Sequence, residues 1–279
     1  MYEITGKKEL APNIKLLEIR APAIANKAKA GQFVIIRIDD RGERFPLTLA
    51  DWEPKKGVIT IIFLEVGMST TKLGALKIRQ EILDLSGPLG NPSDIKHYGS
   101  VAVVCGGVGT AAAYPTAKAL KEAGNRAVSI IGARTKELLI LEDEMRSYSN
   151  EVYISTDDGS RGHKGFVSNV LKTLIEEEQH FDIVYAIGPP LMMRATVNVA
   201  KSYSLKTVVS LNPIMVDGCG MCGSCRVTVG GETKFACVDG PEFDGNIVNF
   251  DELIMRLRGY QSKEKQALDR SKRIKSAPA

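Results

Sequence analysis

Along the first third of the chain, apolar residues come in short β-branched and aliphatic runs: "IKLLEIRAP", "GQFVIIRI" and "GVITIIFLEV". Glycine, proline and charged turns separate them, with no helical periodicity between, which predicts the strands of a small antiparallel barrel or sandwich. The pattern changes near "HYGSVAVVCGGVGTAAAYPTAKALKEAGN". The continuous apolar run from Val101 to Val104 predicts a strand buried on both faces. A glycine turn follows, then a helix rich in alanine and leucine that stops at Gly124-Asn125. "AVSIIGAR" and "EVYISTDDGS" predict two further strands, "GFVSNVLKTLIEEEQH" an amphipathic helix, and "FDIVYAIGPPLMMRATVNVAKSYS" another strand–glycine–helix unit. Such alternation predicts an open, mainly parallel α/β sheet. Beyond it, "DELIMRLRGY" predicts a helix, and the polar, basic "SKEKQALDRSKRIKSAPA" is expected to be a mobile tail. The chain therefore divides into a barrel (1–97), an α/β unit (98–213), a cysteine-bearing segment (214–249) and a helix with a basic tail (250–279).

Composition narrows the possibilities. At 44% hydrophobic and 25% charged residues the chain can bury a core, and wholesale disorder is excluded. A net charge of +4 gives no support to nucleic-acid binding, which needs a clustered basic face. The opening "MYEITGKKEL" has no apolar run of a secretory signal, and no uninterrupted apolar run approaches the roughly 18–20 residues that would span a bilayer. The expectation is a soluble, cytoplasmic protein without membrane or nucleic-acid partners.

Four of the five cysteines lie within "VDGCGMCGSCRVTVGGETKFACVDG". In a cytoplasmic chain such clustering indicates metal or redox chemistry rather than structural disulfides. "CRVTVGGETKFAC" carries a two-residue hairpin signal at Gly230-Gly231. If Val229 pairs with Glu232, Cys237 lies opposite Ser224 and therefore beside Cys225, and Cys222 reaches the same point from the preceding loop. Two residues compete for a fourth place. Plant-type [2Fe–2S] sites use a C-x4-C-x2-C spacing, and counting back from Cys222 on that register lands on Asp217. Cys219 is the other candidate. Tetrahedral zinc is the competing metal, and with no histidine in the segment it would need Cys219. Cys105, alone at the end of a buried strand, reads as a free core cysteine.

Gly106, Gly107 and Gly109 lie between a strand and a helix, where backbone amides and the helix N-terminus favour an anion such as a pyrophosphate. The third glycine of G-x-G-x-x-G is missing, so the motif alone is equally a tight structural turn. Arg134, Thr156, Asp157 and Gly159 follow the next two strands, and "AIGPP" follows the fourth. Ligands of open α/β sheets bind at this carboxyl edge. In the barrel, Arg44 stands beside Pro46 and Thr48, while Gly67, Ser69, Thr70 and Thr71 offer amides and hydroxyls suited to phosphate, or else a loop with a helix cap at Ser69.

Taken together these residues resemble the ferredoxin–NADP reductase superfamily, with a flavin-binding barrel followed by a nicotinamide-binding α/β domain. "RFPLT" (Arg44, Pro46, Leu47, Thr48) is similar to the family's flavin motif, with Arg44 one residue further from Thr48 than usual. "GGVGT" (Gly106, Gly107, Gly109, Thr110) and "GPPLMM" (Gly188, Pro189) are similar to its nicotinamide motifs. With "DGCGMCGSCRVTVGGETKFACVDGPEFDG", the chain resembles the small-subunit family of electron-bifurcating ferredoxin:NADP oxidoreductases, which is related to dihydroorotate dehydrogenase and sulfide dehydrogenase electron-transfer subunits. That resemblance implies FAD, NAD(H), and a [2Fe–2S] cluster held by Asp217, Cys222, Cys225 and Cys237. It also implies hydride exchange between NADH and flavin, and single electrons relayed to a larger flavoprotein/iron–sulfur partner in a heterodimer that serves ferredoxin. It implies no side-chain nucleophile. A reading from another class is a zinc-stabilised nucleotide-binding regulatory module.

Overall fold

The computed structural model describes residues 1–276. Its N-terminal part consists of β1 (Tyr2–Ala11), β2 (Ile14–Arg20), α1 (Pro22–Ala25), β3 (Phe33–Arg37), β4 (Arg44–Glu53), β5 (Val58–Leu64), α2 (Met68–Ala75), β6 (Glu81–Ile82) and β7 (Asp84–Leu89). The strands form an antiparallel sheet in the order β6-β1-β2-β5-β4-β3-β7. Its two end strands are separated in sequence by Leu83 alone, so the sheet curls into a near-closed barrel. Along β5, Ile59, Ile61 and Phe63 point into the barrel core, whereas Ile62 points out. The outward residue is apolar because it is covered: Ile62, Ile14, Ala11 and Ala50 pack against Ala111 and Ile140 of the next domain. That explains why residues 61–64, "IIFL", read as a continuous apolar run rather than as an alternation. The segment "RFPLTLADWE", which carries Arg44, Pro46 and Thr48, is strand β4.

The second sheet is formed by β8 (Ser100–Gly106), α3 (Gly109–Glu122), β9 (Arg126–Ala133), α4 (Glu142–Ser147), β10 (Glu151–Thr156), β11 (His163–Lys164), α5 (Val167–Glu176), β12 (Ile183–Ile187), α6 (Pro190–Ser202) and β13 (Lys206–Ser210). Val101, Val103 and Cys105 of β8 face Ala113, Ala117 and Leu120 of α3, while Ala102 and Val104 face Val167, Leu171 and Leu174 of α5. Both faces are buried, as the unbroken apolar run requires.

After β13 the chain runs through irregular backbone into the hairpin β14 (Arg226–Val229) and β15 (Glu232–Phe235). A short strand, β16 (Glu242–Asp244), then pairs antiparallel with β13, giving the order β11-β10-β9-β8-β12-β13-β16. Next come α7 (Phe250–Arg258) and α8 (Gln261–Ser276). The stretch expected to be a mobile tail is thus helical through Ser276, because "KEKQALDRSKR" contains strong helix formers and no glycine or proline; residues 277–279 of that tail lie outside the described residues.

One core joins all three parts. Phe33 and Ile35 of the barrel, Ala186, Met193 and Val197 of the α/β unit, and Cys225, Val227, Ala236, Cys237, Phe250 and Leu253 pack together. Phe250 and Leu253 are almost fully buried there, each a contribution of about 1.5–3 kcal/mol. Among the described residues no helix is long and apolar enough to cross a membrane.

Candidate functional site

The strand order reverses between β8 and β12, so the crevice at their carboxyl ends is the topological switch point where open α/β sheets bind ligands. Gly106, Gly107, Gly109 and Gly188 all lie there. Gly107 has φ +57°, its N–H donates to the Gly132 carbonyl (2.8 Å), and a Cβ on it would meet nothing within 4 Å. Gly109 is the opposite: a Cβ there would lie 2.7 Å from Cα of Gly188 and from the Ile187 carbonyl oxygen. One glycine faces open space and the other permits two backbones to touch. The Thr110 hydroxyl is buried without a hydrogen-bond partner. An open cradle, helix-start amides behind it and an unsatisfied hydroxyl beside it fit a pyrophosphate.

Arg134 and Asp157 are exposed at the carboxyl ends of β9 and β10, as expected from the sequence. Thr156 is buried, and its hydroxyl donates to the Arg161 carbonyl (2.8 Å) and accepts from the Arg161 N–H (3.0 Å). It therefore shapes the loop rather than presenting its hydroxyl outward. Pro189 precedes α6 at the end of β12. Cys105 is fully buried, and burial pushes its thiol up to about 12. That suits a core residue and not a nucleophile.

On β4 the alternation assigns faces. Phe45 and Leu47 pack on the barrel core, leaving Arg44, Pro46 and Thr48 on the outer face. The Arg44 guanidinium is engaged by Asp84 (3.0 Å), the Ser86 hydroxyl (3.3 Å) and the Val216 carbonyl (3.3 Å). It thus ties the barrel to the cysteine segment, a role the sequence did not reveal. The start of α2 lies beside this strand, because the Ser69 hydroxyl donates to Glu43 and Lys72 pairs with Asp39. The Thr70 hydroxyl accepts from the N–H groups of Val66 and Gly67 (both 3.1 Å) and caps the helix, while Thr71 is half-exposed next to it. Thr70, not Ser69, provides the cap. The outer face of β4 continues to Ala50, which packs on Ala111 of α3. A flavin lying along β4, with its phosphates toward α2, would therefore meet the nicotinamide crevice. The half-exposed Pro46 and Thr48 and the amides of the α2 start suit its ring and its phosphates.

In the hairpin Val229 pairs with Glu232, as the turn signal predicts. Cys225 and Cys237 are consequently brought together, their sulfurs 3.2 Å apart and both buried, with the Gly220 N–H donating to Cys237 (3.2 Å). Cys222 is on the exposed loop, within hydrogen-bonding reach of Ser224 and of Asp217. Hydrogen bonds from Ser224 hold the Cys222 thiol below its ordinary range, whereas burial pushes Cys237 up to about 12. The four groups thus fall into two pairs, Cys225/Cys237 and Asp217/Cys222. Among the described residues no three His, Cys, Asp or Glu groups converge on a single point, so Cys222 does not reach the Cys225–Cys237 point as the hairpin register predicts. Its position is set by the irregular loop before the hairpin rather than by strand pairing. A tetrahedral ion would need four such groups at one point, whereas a [2Fe–2S] cluster could be held by Asp217, Cys222, Cys225 and Cys237 and would supply one-electron chemistry. Cys219 is exposed between Gly218 and Gly220.

A further acidic group escaped the sequence reading. Glu242 of β16 accepts from the Ser93 hydroxyl (2.6 Å), which also lies 3.2 Å from the Thr116 hydroxyl. A Cβ on Gly31 would come within 3.2 Å of the Glu242 carboxylate. This carboxyl therefore sits where barrel, α/β unit and cysteine segment meet. Burial, reinforced by the charge of Asp94 and opposed by the Ser93 hydrogen bond, raises it to about 7.

A near-closed barrel, a parallel sheet with its glycine crevice facing that barrel, and a thiol-bearing hairpin define an oxidoreductase of the ferredoxin-reductase type. Two family models match: the oxidoreductase NAD-binding domain over residues 103–198, and the iron–sulfur cluster binding domain of dihydroorotate dehydrogenase B over 212–249. The Thermotoga maritima homolog of the dihydroorotate dehydrogenase B (NAD(+)) electron transfer subunit is 49% identical, across 97% of this chain and 95% of the relative. The Clostridium perfringens electron transfer subunit is 33% identical, across 88% and 98%. The chain belongs to the family of dihydroorotate dehydrogenase B electron-transfer subunits and their homologs. Among solved structures, one of the NADH-dependent reduced ferredoxin-NADP oxidoreductase, from work on flavin-based electron bifurcation, superposes with a TM-score of 0.92 at 47% identity over 97% of both chains. Phthalate dioxygenase reductase, at 17% identity and a TM-score of 0.59 over 82% of this chain and 85% of that one, shares the fold.

Proposed function

We propose that this chain is the flavin and iron–sulfur electron-transfer subunit of a cytoplasmic, electron-bifurcating ferredoxin:NADP oxidoreductase. It exchanges hydride with NAD(H) at FAD and passes single electrons through a [2Fe–2S] cluster to a larger flavoprotein subunit. The observation that carries this reading is the shared core: barrel strand β3, helix α6 from the nucleotide crevice, and Cys225 with Cys237 are packed as one body. When bound, FAD converts a two-electron hydride into single electrons, which a [2Fe–2S] centre carries one at a time.

The protein's part is placement. The Gly107 turn and the start of α3 receive the pyrophosphate, with Arg134, Asp157 and the Thr156-shaped loop bordering the ribose and Gly188-Pro189 bordering the nicotinamide. Pro46, Thr48 and the backbone at Leu47 line the flavin strand, and Gly67, Ser69, Thr70 and Thr71 form the phosphate end. Asp217, Cys222, Cys225 and Cys237 would hold the [2Fe–2S] cluster, which would carry single electrons. Asp217, on the plant-type register, favours the bifurcating enzyme over a subunit with four cysteine ligands. Arg44 acts by joining barrel to cluster segment. Exposed Val216, Met221 and Val238 around the cluster loop offer the partner an apolar surface. Free cysteines throughout suit a reducing compartment.

The test is anaerobic purification from the native cell. Flavin and iron–sulfur absorption, a co-purifying larger subunit, and ferredoxin-linked activity only in the complex are expected, with NADH-to-dye electron transfer retained by the isolated chain. A colourless protein containing zinc, or a monomer fully active with ferredoxin, would overturn the reading.

A further inference from the structure

Three carbonyls lie between the Cα atoms of Cys222 and Cys225, and those of Gly223 and Ser224 are each held by an arginine. The Arg226 guanidinium donates to the Gly223 carbonyl (3.2 Å), and its own backbone N–H does the same (3.4 Å). The Arg256 guanidinium, arriving from α7, donates to the Ser224 carbonyl (3.2 Å). In a trans peptide the N–H points opposite to the C=O. The N–H groups paired with these carbonyls belong to Ser224 and Cys225, so both are turned away from the arginines. Neither arginine therefore competes for these two N–H groups, which lie in the loop joining Cys222 to Cys225. Gly223, at φ +67°, supplies the left-handed turn this arrangement needs.

The reach of Arg256 is fixed by the fold. Asn249 caps α7 through the Glu252 N–H (3.0 Å), the Asn249 N–H donates to the Thr228 carbonyl of β14 (2.9 Å), and Asp251 pairs with Arg194 of α6 (2.7 Å). Phe250 and Leu253 lie in the core with Cys225 and Cys237, and Arg256 follows one turn on from Leu253, at the edge of that buried face. α7 is therefore a rigid arm that presents a cation behind the ligand loop.

We propose that Arg226 and Arg256 are positioning residues for the cluster: by holding the Gly223 and Ser224 carbonyls outward, they aim N–H groups at the ligand sulfurs and raise the cluster's reduction potential. Reduction adds one negative charge to the centre. Fixed donors toward its sulfurs, polarised by guanidinium groups behind them, favour the reduced form. This inference rests on the electron-transfer reading above.

The experiment uses the full chain, purified anaerobically with its cluster, in wild-type form and as Arg256→Met, Arg226→Met, Arg256→Gln and Arg256→Lys. Iron per chain is measured alongside an electron-spin-resonance-monitored redox titration. The methionine variants keep the apolar stem but lose donor and charge, and their midpoint potentials should shift negative at unchanged iron content, with altered g-values. Arg256→Gln should fall between, and Arg256→Lys should recover most of the shift. Should a methionine variant fail to retain its cluster, Arg256→Gln decides by the same measure. Fully loaded variants titrating at the wild-type potential would overturn the inference alone. A wild-type chain lacking iron–sulfur absorption would instead overturn the functional reading beneath it.

Discussion

The nucleotide crevice and the cysteine segment both depend on glycine, for different reasons. In the crevice, glycines are forced by a finished scaffold: β12 is paired with β8 along its whole length, from Ile183 opposite Val101 to Ile187 opposite Cys105, and Gly109 lets the turn after β8 touch Gly188. From Leu211 to Cys225 there is neither strand nor helix. That loop is held by single long-range bonds, such as Arg44 to the Val216 carbonyl, the Gly220 N–H to Cys237, and Arg256 to the Ser224 carbonyl. The first site is complete before anything binds. The second is completed by what it binds, since metal affinity there is also folding energy.

That contrast can be broken most forcefully at the metal. Cys237→Ala should lose the cluster, taking iron from about two per chain to near zero and loosening the 211–225 loop to proteolysis, while NADH still binds. A variant that retains its iron would show the buried thiol pair to be irrelevant. Next in size, Asp217→Ala should reduce cluster occupancy or change its spin-resonance spectrum, whereas Cys219→Ser should leave both nearly intact; the reverse result would make Cys219 the fourth ligand.

Within the crevice the two glycines should separate access to the cradle from close backbone packing, with Gly107→Val also carrying backbone strain because φ there is +57°. Gly107→Val places a side chain in the open cradle and should weaken NADH binding by roughly tenfold or more, about 1.4 kcal/mol or above, with flavin and iron content normal. Calorimetric titration showing unchanged affinity would move the pyrophosphate elsewhere. Gly109→Ala collides with backbone and should lower unfolding free energy by about 1–3 kcal/mol, read from denaturant midpoints.

The smallest effect is a pH dependence at the three-way junction. The Glu242 carboxyl is raised from an ordinary 4.5 to about 7, so between those values the folded chain binds more protons than the unfolded one. Stability from this group is therefore full below about pH 4.5, declines as pH rises toward 7, and levels off above it. Glu242→Gln should flatten that slope and stabilise the chain at pH 8 by roughly 1–3 kcal/mol. An identical slope in the variant would assign the dependence to other groups.

Much of this was legible in local sequence because local rules decide it. The Gly230-Gly231 signal fixes a two-residue hairpin, the hairpin fixes the Val229–Glu232 register, and the register brings Cys225 to Cys237. The parallel sheet and its glycine edge followed equally from apolar runs and turns. What remained hidden was long-range. Nothing near Arg44 indicates that its guanidinium reaches Asp84 and Val216, and nothing near Glu242 indicates Ser93 and Gly31 as neighbours. The flavin motif was read as one stretch, yet strand alternation turns Leu47 inward and Thr48 outward. The final helix was missed because a polar, basic composition was taken for a tail, although its residues favour helix.

β16 has a consequence for anyone who would divide this molecule. Its three residues pair with Val208, Val209 and Ser210 and cover the outer edge of β13. An uncovered strand edge is a template for pairing with another chain, and hence for aggregation. A nucleotide-binding fragment cut before Glu242 would expose that edge, so the cysteine segment also acts as the sheet's hem. Solubility of the α/β unit and possession of the cluster segment are in this way made inseparable, and minimal soluble fragments must extend through Asp244.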